Sequence, residues 1–168
     1  MIISIKPEPP AMTGAQTLAT YSPRNLLTTG FTMPVVFQTP AVLCAPPHSK
    51  PLKSVQIMAL FDTGASKTYI AGSIADLLEL TLVGFSKTHT ASGIEDFPNY
   101  AVDVLFPNDA LRGFSNMQIG SCNLSYSHTL TEAQRIAPDN CGALIGRDMM
   151  ARWSIVWHGP TSTVFISE

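Results

Sequence analysis

Three consecutive residues, Asp62, Thr63 and Gly64, combine a carboxylate, a hydroxyl and a position without a side chain. They follow the segment from Val55 to Phe61, whose alternating faces are both apolar, as in a buried central strand. A carboxylate at the end of such a strand is costly unless it is hydrogen-bonded or paired. Two carboxylates that share one proton can hydrolyse a peptide bond, because one takes a proton from water while the other hydrogen-bonds the carbonyl oxygen. Asp62 is therefore a candidate catalytic group.

A second short motif lies near the C-terminus, where Leu144-Ile145 is followed by Gly146-Arg147-Asp148. An isolated Asp-Thr-Gly would be better explained as a turn capped by its aspartate, but the second motif favours the catalytic interpretation. The chain has a single Asp-Thr-Gly and no Asp-Ser-Gly, which excludes a two-lobed enzyme with both aspartates in one chain. Two-fold symmetry between identical chains is then the natural way to pair two carboxylates.

Together, Asp62-Thr63-Gly64-Ala65-Ser66 and Leu144-Ile145-Gly146-Arg147-Asp148 resemble the motifs of the retropepsin family, the dimeric aspartic proteases of retroviruses, retroelements and their cellular relatives. The resemblance covers residues 31–168. It implies an all-β acid protease fold, a closed barrel-like domain with a flap hairpin and one short C-terminal helix. It also implies a homodimeric aspartic endopeptidase that acts on peptide or protein substrates.

The resemblance assigns roles to the residues of the first motif. Asp62 matches the catalytic aspartate, and Thr63 matches the residue whose hydroxyl locks the two active-site loops together across the dimer. Gly64 matches the position whose backbone contacts substrate. Ala65 and Ser66 continue the active-site loop.

Two further groups of residues receive roles from the same resemblance. The segment Ala91-Ser92-Gly93-Ile94 corresponds to the tip of the flap that closes over a bound peptide. Gly146, Arg147 and Asp148 correspond to a structural brace, in which the arginine supports the active-site loop from the C-terminal helix.

The chain departs from many viral members at Ser66, where those proteins carry an acidic residue that pairs with the arginine. Asp148 or Asp76 would then be the partner of Arg147. The chain also continues beyond the helix with a hairpin, residues 154–168, which we expect to contribute to the dimer interface.

Two other functions are compatible with parts of the pattern. Ser66 could be a nucleophile, but Gly64-Ala65-Ser66-Lys67-Thr68 lacks the final glycine of the hydrolase elbow G-x-S-x-G. The domain could also be a catalytically weak, dimeric binding or scaffold module that keeps the protease fold. The motif itself is undamaged, which favours the enzyme.

The composition argues against several classes of protein. The net charge is −2, and the sequence lacks the cluster of basic residues that would predict nucleic-acid binding. No apolar run is long enough to cross a bilayer, and proline interrupts the short apolar start, so we expect neither a membrane protein nor a signal peptide. No Cys/His spacing predicts a metal site, and no motif predicts a cofactor. The odd number of cysteines, 3, favours a reducing compartment and a cytoplasmic location.

The organisation of the chain predicts a flexible N-terminal extension, residues 1–30, and a protease domain, residues 31–168. Turn-forming residues and short apolar runs predict mainly strands. The expected elements are strands at 33–37, 41–44 and 67–70, a helix at 73–80 capped by Ser73, a hairpin at 84–106, a strand pair at 117–127, a helical turn within 130–137, a helix at 147–153 and a closing hairpin from 154 to 167.

Overall fold

The structure is a computed structural model that describes residues 16–20, 30–90, 93–107, 111–124, 126, 129–137, 140–158 and 163–168. Its strands are β1 (Gln16–Thr20), β2 (Thr32–Gln38), β3 (Ser54–Phe61), β4 (Tyr69–Ala71), β5 (Thr81–Thr90), β6 (Gly93–Leu105), β7 (Phe114–Cys122), β8 (Cys141–Ile145), β9 (Ser154–His158) and β10 (Thr163–Ser167). Its helices are all short: α1 (Ala41–Cys44), α2 (Gly72–Leu77), α3 (Glu132–Arg135) and α4 (Arg147–Met150).

Six strands of the described residues form a closed barrel in the order β2-β3-β8-β4-β7-β6. The ring closes because the end of β2 pairs with the end of β6, from Val36 opposite Leu105 to Gln38 opposite Asp103. Strand β5 pairs with β6 and extends the sheet beyond the ring. The predicted all-β architecture is thus confirmed, with a closed barrel, a hairpin and a short helix near the C-terminus.

Strand β3 lies in the middle of the barrel wall, antiparallel to β2 and parallel to β8. Its alternate residues Val55, Ile57, Ala59 and Phe61 are all buried in the core. Met58 on the other face is buried as well, with 5% of its surface exposed. The predicted central strand is confirmed, since it pairs on both edges and residues from both of its faces are buried.

The hairpin of β5 and β6 agrees with the hairpin predicted at 84–106. The last pair in its register joins Thr90 to Gly93, so that Ala91 and Ser92, which lie outside the described residues, connect the strands. Gly93 has a φ of +132°, a backbone conformation that glycine adopts more easily than other residues. The hairpin therefore turns where the sequence predicted.

A second sheet has the strand order β1-β10-β9. Strands β9 and β10 pair from Ser154 opposite Ser167 to His158 opposite Thr163, which confirms the closing hairpin. Strand β1, within the residues assigned to the N-terminal extension, pairs with the other edge of β10. The division of the chain at residue 30 stays a prediction.

Two expectations about helices were wrong in detail. Residues Ala41–Cys44 form helix α1 rather than a strand, and the buried Asp103 carboxylate accepts a hydrogen bond from Ala41 N at 2.9 Å. That carboxylate satisfies a free N–H at the start of the helix. Ser73 is not the N-cap of α2, because the preceding Ala71 occupies that position and the Ser73 hydroxyl donates to Tyr126 O at 3.1 Å.

Two further elements differ from the sequence expectation. Residues 117–127 were expected to form two strands, but β7 continues to Cys122 as one strand because it pairs with both β6 and β4. Helix α4 ends at Met150 instead of Trp153. The Trp153 ring turns into the core, with its centroid 5.4 Å from Phe106 and 5.7 Å from Phe114. None of the helices among the described residues has the length and apolar character needed to cross a membrane.

Candidate active site

Asp62 is the first residue after strand β3, and its backbone position is set by the neighbouring strand β8. Its N–H donates to Ile145 O at 3.0 Å. Its carboxylate atom Oδ1 accepts a hydrogen bond from Gly64 N at 2.8 Å, and its carbonyl oxygen accepts one from Ala65 N at 3.1 Å. The side chain is half-buried. The Asp62 carboxyl group is therefore held at the end of β3, where it stays partly accessible to solvent.

Residues Thr63, Gly64 and Ser66 of the same loop are exposed, and Ala65 is half-buried. A Cβ atom at position 64 would lie 3.0 Å from Asp62 Oδ1. A side chain there would press on the Asp62 carboxylate and displace it, so glycine leaves room for the hydrogen bond from Gly64 N to Asp62 Oδ1. The structure thus brings together the five residues of the first motif in one exposed loop.

Arg147 holds this loop from the start of helix α4. Its Nη1 atom donates to Thr63 O at 2.6 Å and to Gly64 O at 3.3 Å, and its main-chain N–H donates to Ala65 O at 3.0 Å. Three consecutive carbonyl groups of the loop are therefore bound by one residue. The guanidinium contacts main-chain oxygens, which explains how the loop can be braced although Ser66 supplies no carboxylate.

The Asp148 carboxylate, considered above as a partner for Arg147, is bound to Thr68 instead. Its Oδ2 atom accepts from Thr68 N at 2.9 Å and its Oδ1 atom accepts from Thr68 Oγ1 at 2.7 Å. Thr68 Oγ1 in turn accepts from Gly146 N at 3.0 Å. A Cβ atom at Gly146 would overlap the carbonyl group of Lys67, so the second motif packs directly against the backbone that follows the first.

Lys67 and Tyr69 connect the loop to one face of the β5–β6 hairpin. Lys67 Nζ donates to Asn99 Oδ1 at 2.6 Å. The Tyr69 hydroxyl lies 2.7 Å from Thr88 Oγ1, and its ring meets the Phe97 ring edge-on at 5.6 Å. Burial lowers the pKa of Lys67, while the nearby Asp148 carboxylate acts in the opposite direction. The hairpin is therefore anchored along one face to the segment that follows the Asp62 loop.

The flap residues of the sequence analysis divide into two groups. Ala91 and Ser92 lie outside the described residues, and Gly93 and Ile94 begin β6 at the free end of the hairpin. Ile94 is exposed, with 62% of its surface accessible. Their proposed contact with substrate stays a prediction.

Sequence reasoning missed the contributions of Thr68 and Asn99. Both are polar residues buried among apolar ones, with 0% and 1% of their surfaces exposed. Neither belongs to a recognisable motif, and their partners Asp148 and Lys67 are 80 and 32 residues away. No local signal in the sequence could have identified these pairs.

Other types of site find less support among the described residues. No group of three His, Cys, Asp or Glu side chains is placed to hold a metal ion there. A surface cavity of about 720 Å³ lies beside Arg112, Phe114, Arg152 and Trp153, and Asp62 does not line it.

One solved structure that resembles this chain is a retropepsin-like aspartic protease from Rickettsia conorii. The identity is 14%, the alignment covers 90% of this chain and 89% of that chain, and the TM-score is 0.48. No protein-family model matches the chain, and no significant match occurs among curated proteins.

Proposed function

We propose that this chain is an aspartic endopeptidase whose active site forms between two copies, each contributing Asp62. The observation that carries the proposal is the position of Asp62: its carboxylate lies at the accessible end of a central strand, in a loop whose carbonyl groups are held by Arg147. A fixed and accessible carboxylate is what acid–base catalysis requires. These 168 residues hold a single Asp-Thr-Gly, which supplies one carboxylate, and a second copy of the chain supplies the other in this proposal.

The reaction follows from the pairing of the two carboxylates. Like charges a few Å apart cannot both ionise easily, so the pair holds one proton. The ionised carboxylate removes a proton from water, which attacks the carbonyl carbon of the peptide bond. The protonated carboxyl group donates a hydrogen bond to the carbonyl oxygen. The tetrahedral intermediate then collapses, the C–N bond breaks, and a proton passes to the leaving amine.

Three other parts of the loop and hairpin support this chemistry. The exposed Thr63 is available to bind the facing loop of a second copy, and the exposed backbone at Gly64 is available to bind a peptide. The hairpin of β5 and β6 would cover the substrate with its tip, Ala91-Ser92-Gly93-Ile94. Exclusion of water by such a cover strengthens the electrostatic interactions inside the site.

The test combines an activity assay with a measurement of mass in solution. The purified chain is incubated with a peptide library between about pH 4 and pH 7, since a pair of carboxyl groups that shares one proton favours an acidic or mildly acidic optimum. Self-cleavage within residues 1–30 is followed by mass spectrometry. Asp62→Asn, which keeps the size of the side chain, is the inactive control, and Asp76→Asn on the exposed face of α2 is the matched control that we expect to stay active.

Two results would support the proposal together: cleavage that Asp62→Asn abolishes, and specific activity that falls on dilution as the dimer dissociates. Equal activity of the Asp62→Asn protein would refute the mechanism. A fully active monomer would refute the shared site. Peptide binding without turnover would favour the binding or scaffold module.

A further inference from the structure

The side chain of Lys67 lies between the Asp62 loop and the base of the hairpin. Its Nζ atom donates to Asn99 Oδ1 on β6, and the Ser86 hydroxyl on β5 donates to the same oxygen at 3.1 Å. Asn99 is buried, with 1% of its surface exposed. Unlike a surface lysine with a freely moving ammonium group, Lys67 therefore has its charge held at a fixed place.

The hairpin face that Lys67 meets is the face that contacts the segment directly after the Asp62 loop. Successive residues of a strand point to opposite faces, so Ser86 and Thr88 share one face of β5. Thr88 contacts Tyr69, two residues beyond Lys67. On the opposite face, Phe85 and Ile94 are exposed, with 67% and 62% of their surfaces accessible. A peptide bound between loop and hairpin would therefore pass along the face that carries Lys67.

The ammonium group of Lys67 has capacity for more hydrogen bonds. A lysine offers three donors, and among the residues described by the structure its one acceptor is the neutral amide oxygen of Asn99. Asp148 influences Lys67 through space, but its carboxylate oxygens are bound to Thr68. Because burial disfavours the charged form of Lys67, an additional carboxylate would stabilise it.

We infer that Lys67 selects peptide substrates with an acidic side chain close to the bond that is cut. This inference rests on the proposed protease function and specifies its substrate class. In a two-fold symmetric site the two copies of Lys67 lie on opposite sides of the paired aspartates, so acidic residues are favoured on both sides of the cut bond. A carboxylate bound to this ammonium is preferred over the isosteric amide about tenfold or more.

The experiment measures cleavage of a peptide library in which Glu, Gln and Lys are exchanged at each position around the bond that wild-type protein cuts. Lys67→Gln removes the charge and Lys67→Glu reverses it. Lys87→Gln is the matched control, since Lys87 is the neighbour of Ser86 on the exposed face of the hairpin. Binding of the same peptides to Asp62→Asn protein, with and without Lys67→Gln, gives a readout that does not depend on turnover.

The expected result is a preference of about tenfold or more in kcat/KM for Glu over Gln near the cut bond. Lys67→Gln loses this preference, Lys67→Glu shifts it toward Lys, and Lys87→Gln keeps it. Cleavage without an acidic preference, or a preference that survives Lys67→Gln, overturns the inference and leaves the protease intact. If the protein cleaves no peptide but binds acidic peptides in a way that depends on Lys67, the protease proposal is overturned and Lys67 remains a recognition residue. If the protein shows neither cleavage nor charge-selective binding, the protease proposal and the role of Lys67 are both overturned.

Discussion

Asp148 binds Thr68 through both of its carboxylate oxygens, one receiving the main-chain N–H at 2.9 Å and the other the hydroxyl at 2.7 Å. The same threonine oxygen accepts from Gly146 N at 3.0 Å. These bonds join the strand that follows the Asp62 loop to the start of helix α4. The loop is thereby fixed to the barrel at its far end, while Arg147 holds its middle.

Thr68→Val is expected to destabilise the protein, because valine keeps the shape but leaves Gly146 N without its acceptor and Asp148 with one fewer donor. The loss is about 2–3 kcal/mol in the free energy of unfolding, as for other buried groups left unpaired. Urea denaturation measures it. Thr81→Val, at an exposed position of β5, is the control and should change stability by less than about 0.5 kcal/mol. Equal stability of the two variants would show that the Thr68 bonds contribute little.

Gly146→Ala is expected to disturb the contact between the two motifs. The added methyl group would overlap the Lys67 backbone, which cannot move without shifting the loop, and the cost is about 3 kcal/mol or more. Gly72→Ala is the matched control, because its methyl group would lie 3.6 Å from Ser121 Oγ, an ordinary contact, in the first turn of α2. We expect this control to be neutral or to gain up to about 1 kcal/mol, since alanine favours helix. Thermal unfolding compares them, and a Gly146→Ala protein as stable as the control would contradict the packing.

Arg147→Ala should lower catalytic activity much more than stability. The exposed side chain supports the carbonyl groups of Thr63 and Gly64, and a displaced loop misplaces the aspartate, so kcat/KM should fall about 10- to 100-fold. The free energy of unfolding should change by no more than about 1 kcal/mol. Arg147→Lys should recover part of the activity because it keeps one charged donor.

The control for this pair is Arg112→Ala, an exposed arginine whose main-chain N–H, rather than its guanidinium, contacts Glu168. It should behave as wild type in both measurements. If Arg147→Ala retained full kcat/KM, the guanidinium would not be needed to position the loop.

Cys122 should react slowly with alkylating reagents in the folded protein. Burial raises the pKa of its thiol. At about pH 8.5, the ordinary pKa of a cysteine, the folded protein therefore holds less of the reactive thiolate than a free cysteine does. Below that pH the thiol is neutral in both the folded and the unfolded chain. As the pH rises, the unfolded chain ionises first, so the folded form loses stability. A Cys44→Ser/Cys141→Ser variant leaves Cys122 as the one thiol to be alkylated. At about pH 8.5, urea should increase its alkylation rate by a larger factor than it increases the rate of a short cysteine peptide. An unchanged rate would mean that the thiol is accessible.

Elements with a strong local pattern were predicted well from the sequence. Strand β3 was recognised because apolar residues occupy both of its faces from Ile57 to Phe61, and the hairpin of β5 and β6 because Ser92-Gly93 favours a turn between two strand-like segments. Residues 41–44 were misassigned since their apolar composition suits a strand, whereas the helix depends on the distant Asp103. Short segments have little propensity of their own, and tertiary contacts decide their conformation.

The sequence by itself determined the chemistry of the candidate site: a carboxylate after a buried strand, a glycine beside it, and a single copy of the motif. Only the tertiary structure decided how these residues are held. Strand β4 lies between β7 and β8, and this arrangement brings Thr68 to Asp148 and Lys67 to Asn99. Such pairs form when the barrel closes, because closure places distant segments side by side, and periodicity along one segment carries no information about its neighbour.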